Sequence, residues 1–155
     1  MTEPTREPAR ETPLIVPCAG CGTPNRLAGS RLADHPACGR CGEPVLLTRP
    51  IVLTTAGFDR QIAGDVPIVV DFWAAWCGPC RSMAPVFDAA ARQLSPRLRF
   101  GKLDVDAEQA IASRYAIRSI PTLAVFRGGR EIERKTGALD ARSLNDWIGR
   151  HAIAA

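Results

Sequence analysis

The chain has 155 residues and a mass of 16.7 kDa; 46% of the residues are hydrophobic, 23% are charged, and the net charge is +4. That make-up fits one globular domain, or a domain of about 100 residues with a small appendage. Mean hydropathy is -0.05 and no run approaches the ~18 apolar residues of a membrane span. Membrane, collagen-like and wholly disordered classes are therefore excluded. With six Arg against five acids over residues 1–50 and a modest basic excess beyond, nucleic acid is not the expected partner.

In chain order, residues 1–13 are polar and Pro-rich and read as a disordered tail, because they hold too little apolar surface to offset ordering entropy. Residues 14–49 carry four Cys, five Gly and four Pro with little periodicity; a segment this small needs a staple to fold. From Ile51 the texture changes. Ile51–Leu53 reads as a short strand and Thr54–Ile62 as a helix capped by Thr54 or Thr55. Pro67–Trp73 is an unbroken β-rich run, the pattern of a strand covered on both faces. Cys77–Leu94 carries Met83, Val86, Phe87, Ala90 and Leu94 mostly at helical spacing, with Pro85 inside. Arg99–Val105 is a second central strand and Ala107–Tyr115 a helix. Thr122–Arg127 and Glu131–Thr136 form a hairpin around Gly128-Gly129, and Asp140 caps a last helix reaching about Ala152. The order β-α-β-α-β followed by a hairpin predicts an α/β fold, parallel at its core and antiparallel at one edge.

All six cysteines fall in C-x-x-C pairs: Cys18/Cys21, Cys38/Cys41 and Cys77/Cys80. Such pairs favour metal or redox chemistry over a secreted disulfide framework. The first twelve residues have no apolar segment of the signal-peptide kind. A cytoplasmic location, where thiols stay reduced, is the expectation.

The third pair lies where the strand ends and the long helix begins, in Trp73-Ala74-Ala75-Trp76-Cys77-Gly78-Pro79-Cys80. Unsatisfied N–H groups and the helix dipole favour an anion there. Cys77, whose ordinary pKa is about 8.5, should thus be partly thiolate at neutral pH. Cys80, one turn on, faces inward and is placed to resolve a mixed disulfide on Cys77. Gly78 permits close approach of a partner, and Pro79 sets φ for the first turn. Asp71 is an acid within an apolar strand. Burial raises a carboxylate pKa, which makes it a candidate proton acceptor for Cys80.

Asp71-Phe72-Trp73-Ala74, Trp76-Cys77-Gly78-Pro79-Cys80, Ser119-Ile120-Pro121-Thr122 and Gly137 together resemble the thioredoxin family. The resemblance spans about residues 50–152. It implies a thioredoxin fold over 50–155, a central mixed sheet flanked by helices, with Cys77 as attacking and Cys80 as resolving thiol. It also implies that Pro121 is a cis-proline facing the dithiol, and that Asp71 and Lys102 form the family's acid and neighbouring lysine. Trp76, Gly78, Pro79, Ile120, Pro121 and Gly137 would then contact substrate, with Trp76 covering the nucleophile. Trp73 reads as a packing residue with an indole hydrogen bond.

Cys18-x2-Cys21 and Cys38-x2-Cys41 stand 16 residues apart, the pattern of a four-thiolate zinc site, and each is followed by Gly (Gly22, Gly42). Such a Gly lets backbone N–H groups turn toward the sulfurs. Closed thiolate coordination would make the site structural, and one zinc ion would supply the folding energy that 14–49 lacks. Iron, or two disulfides or free thiols, stand as alternatives. This module ahead of the larger domain resembles the zinc-containing bacterial thioredoxins, the thioredoxin 2 subgroup.

The resemblance implies a monomeric protein-disulfide reductase. It would act on disulfide-bearing proteins, need no organic cofactor, and be returned to the dithiol by an NADPH-dependent thioredoxin reductase. A zinc-ribbon adaptor with an inactive scaffold domain is the competing reading; the presence of both Cys77 and Cys80 speaks against it.

Overall fold

The run Ile68–Trp73 is apolar on both faces except at Asp71, and it becomes the middle strand of the sheet. The computed structural model describes residues 11–154. The expected tail over 1–13 lies outside this span except for its last three residues, of which Glu11 accepts hydrogen bonds from the Ser30 N–H (3.3 Å) and hydroxyl (2.9 Å). The elements are β1 (Leu14–Pro17), β2 (Pro24–Leu27), a 3-10 turn (Gly29–Asp34), β3 (Ile51–Val52), α1 (Phe58–Ile62), β4 (Ile68–Trp73), α2 (Gly78–Leu94), β5 (Arg99–Asp104), α3 (Gln109–Arg114), β6 (Thr122–Arg127), β7 (Arg130–Thr136) and α4 (Ala141–Gly149). Five strands form one sheet in the order β3-β5-β4-β6-β7. β5 runs parallel to β3 and β4; β6 is antiparallel to both β4 and β7.

Strand alternation sorts the core into two layers. Ile68, Val70 and Phe72 face one side, where they meet Phe58, Ile111 and Phe126. Val69 faces the other, with Phe87, Phe100, Leu123, Leu144 and Trp147. Edge-to-face aromatic pairs stiffen both layers: Phe58 with Phe126 at 5.5 Å and Phe87 with Phe100 at 5.3 Å. Asp71, two residues beyond Val69, shares that second face.

Three helices are shorter than the sequence suggests. α1 starts at Phe58 rather than Thr54, with Gly57 at its cap and no side-chain cap bond. Thr54 instead closes a turn by accepting the Gly57 N–H, and Thr55 donates through both N–H (3.0 Å) and hydroxyl (2.6 Å) to Glu108. β-Branched residues with such outlets favour turns over helix. α3 begins at Gln109 because Asp104 Oδ1 takes the N–H of Asp106 (2.9 Å) and of Ala107 (3.3 Å). α4, capped by Asp140 as expected through the Ser143 N–H at 2.8 Å, stops at Gly149; the chain then returns, with the Ile153 N–H donating to the Arg97 carbonyl.

The four-cysteine segment contains the β1–β2 hairpin and a core of Val16, Cys18, Leu32, Cys38 and Val45 that takes in Val66 from the segment before β4. Ile15 and Asp65 bind each other twice: the Ile15 N–H donates to Asp65 Oδ2 at 2.6 Å, and the Asp65 N–H to the Ile15 carbonyl at 2.8 Å. Gly64 allows this closeness, since a Cβ there would lie 2.5 Å from Pro17 Cδ. The contact falls at the start of β4 and β5. Cys77 follows the far end of β4, and six residues at about 3.3 Å each separate the two poles.

Candidate active site and metal centre

β4 delivers its last residue, Trp73, to a short turn, and Cys77 becomes the N-cap of α2. Its Sγ accepts the Cys80 N–H at 3.2 Å, so one orphan donor of the helix terminus is satisfied by this sulfur. Cys77 and Cys80 are joined in a disulfide, which is the oxidised state of the pair. Both are buried, yet a Cβ on Gly78 would meet nothing within 4 Å, and Pro79 is exposed. The cysteines therefore sit just beneath an open surface.

The Ile120–Pro121 peptide is cis, and the Ile120 carbonyl lies 3.9 Å from Cys77 Sγ. Thr122 holds this loop through its hydroxyl on the Ser119 carbonyl (2.6 Å), and Gly137 does so through its N–H on the Pro121 carbonyl (2.9 Å). Gly137 has φ of 102°, a conformation a side chain would strain. Among the residues singled out from the sequence, Cys77, Cys80, Gly78, Pro79, Ile120, Pro121 and Gly137 are thus brought to one end of the sheet.

Trp76, the residue before the buried Cys77, is 68% exposed, and its Nε1–H donates to Asp106 Oδ2 at 2.8 Å. The indole hydrogen bond expected of Trp73 is thus made by Trp76. Trp73 instead lies under the Lys102 ammonium, 4.5 Å from its ring centroid. Asp106 is a site residue that sequence reasoning misses; its signal is Asp104-Val105-Asp106 at the end of a strand, an acid that turns the chain followed by one that the turn presents.

Asp71 is fully buried, and neither carboxylate oxygen has a hydrogen-bond partner. Its register neighbour on β5 is Lys102. Burial pushes its pKa up from 3.8 to about 7; the Lys102 charge pulls the other way, and Asp88 on α2 adds to the rise. Asp88 and Lys102 also line an open cleft of ≈ 350 Å³ with Thr48, Arg49, Pro50 and Arg92, so both charged groups have access to water.

At the other pole, the Sγ atoms of Cys18, Cys21, Cys38 and Cys41 all lie within 4.8 Å of one another. Two of the separations, Cys18–Cys41 and Cys21–Cys38, are 3.7 Å. A tetrahedron with metal–sulfur bonds of about 2.3 Å has edges of about 3.8 Å, so the donor set fits a tetrahedral ion. Among the N–H groups aimed at sulfur are those of Gly20 on Cys18 and Arg40 on Cys38, both 3.4 Å, and Asn25 adds its amide to Cys38 at 3.5 Å. Gly22 and Gly42, at φ of 76° and 77°, close these turns: their own N–H groups bond the Cys18 and Cys38 carbonyls. Hydrogen bonds from the Cys41 backbone, then Arg40, lower the Cys38 pKa to about 6. The Glu43 N–H favours the Cys41 thiolate, but desolvation and the other three sulfurs outweigh it and push that pKa up to about 12. Four sulfurs this close could all be thiolates only with a cation among them. His35, exposed and at φ 54°, is not in the cluster.

A dithiol at a helix N-terminus, faced by a cis-proline loop on this sheet, defines a thiol–disulfide oxidoreductase. Known proteins agree. The family model described as "Thioredoxin" matches residues 49–150, and the one described as "Thioredoxin 2, N-terminal" matches residues 17–43. "Thioredoxin C-3" of Corynebacterium nephridii is 40% identical over 136 residues, 87% of this chain and 93% of that protein. The thioredoxin of Alicyclobacillus acidocaldarius is 47% identical over 87 residues, 56% of this chain and 83% of that one. A solved mutant thioredoxin from Halobacterium salinarum superposes with a TM-score of 0.64 at 32% identity, covering 71% of this chain and 96% of that one. The chain belongs to the thioredoxin family, and its N-terminal module is of the thioredoxin 2 kind.

Proposed function

We propose that the protein is a protein-disulfide reductase. The observation that carries this is the Cys77 sulfur at the mouth of α2, held by the Cys80 N–H at 3.2 Å and lying beside the Ile120 carbonyl. In the reduced protein, the helix terminus stabilises a Cys77 thiolate. It attacks one sulfur of a target disulfide, forming a Cys77–target bond and expelling the other target sulfur as thiolate. Cys80 then loses its proton to Asp71 and attacks Cys77 Sγ. The second target sulfur leaves, two electrons have passed to the target, and Cys77–Cys80 is oxidised. Lys102 stabilises the ionised form of Asp71. The substrate chain lies over Trp76, Gly78 and Pro79, with the backbone of Ile120 offered as an extended edge and Pro121 and Gly137 shaping the groove.

An NADPH-dependent thioredoxin reductase restores the dithiol. All groups of the site come from one chain, so a monomer suffices. Among the described residues no helix is long and apolar enough to cross a membrane. The reducing cytoplasm is the compartment in which this direction of exchange is sustained. The N-terminal cysteines hold one zinc ion in a closed tetrathiolate site that folds residues 14–49 and takes no part in exchange.

The test is reduction of insulin with dithiothreitol as donor, followed by turbidity. The protein accelerates it and Cys77→Ser abolishes the acceleration. Cys80→Ser leaves a trapped mixed disulfide. A Cys77→Ser protein as active as the parent would overturn the reading.

A further inference from the structure

The seam between the cysteine module and the larger domain contains a charge that no acid balances. Arg99, the first residue of β5, is 3% exposed. Among the described residues no carboxylate forms an ion pair with it. Its guanidinium donates to the Gln61 carbonyl at 2.7 Å, to Gln61 Oε1, and to the Pro17 carbonyl at 3.4 Å, while Nε has no partner. All these acceptors are neutral. Gln61, also buried, passes the connection on: its Nε2 donates to the Cys18 carbonyl at 2.9 Å. Arg99 thus grips the two residues on either side of the Pro17–Cys18 peptide, one directly and one through Gln61.

A buried guanidinium facing only carbonyls is expensive unless a negative charge lies near. Sulfur is a source of negative charge at this seam. Cys18 is fully buried, and its carbonyl and that of Pro17 before it are the ones that Gln61 and Arg99 hold, which places the guanidinium beside the ligand segment. Four thiolates around a divalent ion retain two excess negative charges, which low-dielectric surroundings screen weakly.

We propose that Arg99 is the buried counter-charge of the four-thiolate metal centre, with Gln61 as its relay, so that metal affinity of the N-terminal module depends on a side chain of the thioredoxin domain. This rests on the reading of the four cysteines as a metal site. Metal binding strengthens the hold of Arg99 and Gln61 on the Pro17–Cys18 segment. By linkage, docking of the module strengthens metal binding equally. Arg99 is a positioning residue: it touches no ligand sulfur, and the second sphere of a metal site commonly changes affinity by ~10–100-fold.

The test is zinc affinity of the full chain, measured by competition with a chromophoric chelator, for the parent, Arg99→Met and Arg99→Lys. Insulin reduction by the same samples checks that the thioredoxin domain is folded. Arg99→Met should bind zinc at least tenfold more weakly, and Arg99→Lys, which keeps the charge without the fork, should recover most of the loss. Arg99→Met within twofold of the parent, or Arg99→Lys no better than Arg99→Met, overturns the proposal. A parent chain that binds no zinc removes the metal reading itself, and this proposal with it. Should Arg99→Met not fold, hydrogen exchange of the parent decides. Stripping zinc should speed exchange at the Gln61 and Arg99 amides at least tenfold, and unchanged protection there sinks the idea.

Discussion

Replacing Asp71 by asparagine takes the one ionisable group out of the interior of β4 while keeping its shape. The unfolded chain loses this proton near pH 3.8, the folded chain near 7. Between those values the folded state binds the extra proton, so stability falls as pH rises. At about 1.4 kcal/mol per pKa unit the whole effect is about 4 kcal/mol at pH 8. At pH 5 the folded carboxyl is protonated and the unfolded one mostly ionised, which leaves about 1.7 kcal/mol; below about pH 4 the effect vanishes. The asparagine brings its own unmet hydrogen bonds, at ~1–3 kcal/mol, but these do not depend on pH. The slope is therefore the diagnostic. In urea unfolding of the oxidised protein, the stability of Asp71→Asn relative to the parent should rise by about 2.5 kcal/mol from pH 5 to pH 8. In single-turnover reduction of a disulfide substrate, the same variant should resolve the mixed disulfide at least about tenfold more slowly near pH 7, for want of a proton acceptor. A stability difference that stays constant from pH 5 to 8 would mean that Asp71 titrates as an ordinary surface acid. The proton-transfer role would then lose its physical basis.

Metal removal should act on one pole of the molecule. Chelation, or acid that protonates the thiolates, should open residues 14–49 to limited proteolysis while the sheet of 51–136 stays resistant, because the bound ion supplies folding energy on the order of 10 kcal/mol; equal resistance with and without chelator refutes the structural role. Gly64→Ala puts a Cβ 2.5 Å from Pro17 Cδ and 3.2 Å from the Ile15 carbonyl. It should lower stability by ~1–3 kcal/mol in denaturant unfolding, and an unchanged midpoint would show that the seam yields freely. Asp106→Ala releases the Trp76 indole. One hydrogen bond at ~0.5–1.5 kcal/mol predicts KM for a protein substrate raised a few-fold with kcat little changed. An unaltered KM would remove Trp76 from the docking surface.

What could be read from the sequence was what local chemistry fixes. The strand at Ile68–Trp73 is legible because an uninterrupted β-rich run suits only a covered strand, and α2 because Met83, Phe87 and Ala90 recur at helical spacing. Cys77 and Cys80 are legible because strand, dithiol and helix follow one another without a gap. The unread parts depend on contacts distant in sequence. Thr55 loses its helix to Glu108, 53 residues away. Trp76 finds Asp106, and Trp73 finds Lys102, only after β4 and β5 pair. Arg99 reads as an ordinary strand-end cation; its burial follows from the docking of Pro17, 82 residues earlier.

On the proposed reading the same motif performs two tasks, and the backbone after it decides which. Beyond Cys80 the chain continues as helix, whose terminus offers the Cys80 N–H to Cys77, and no second pair approaches among the described residues. A single sulfur favoured as an anion is reactive. Beyond Cys21 and Cys41 stand Gly22 and Gly42 at positive φ, which fold the chain back so that each first cysteine's carbonyl is capped and its sulfur receives an N–H from two residues on. Two such turns, brought together by Val16, Leu32 and Val45, bring the four sulfurs within 4.8 Å of one another. Thiolates that share a cation are stabilised together and lose nucleophilicity. On the proposed reading, exchange chemistry is thereby confined to the pair at the mouth of α2, although three pairs of identical spacing lie in the chain.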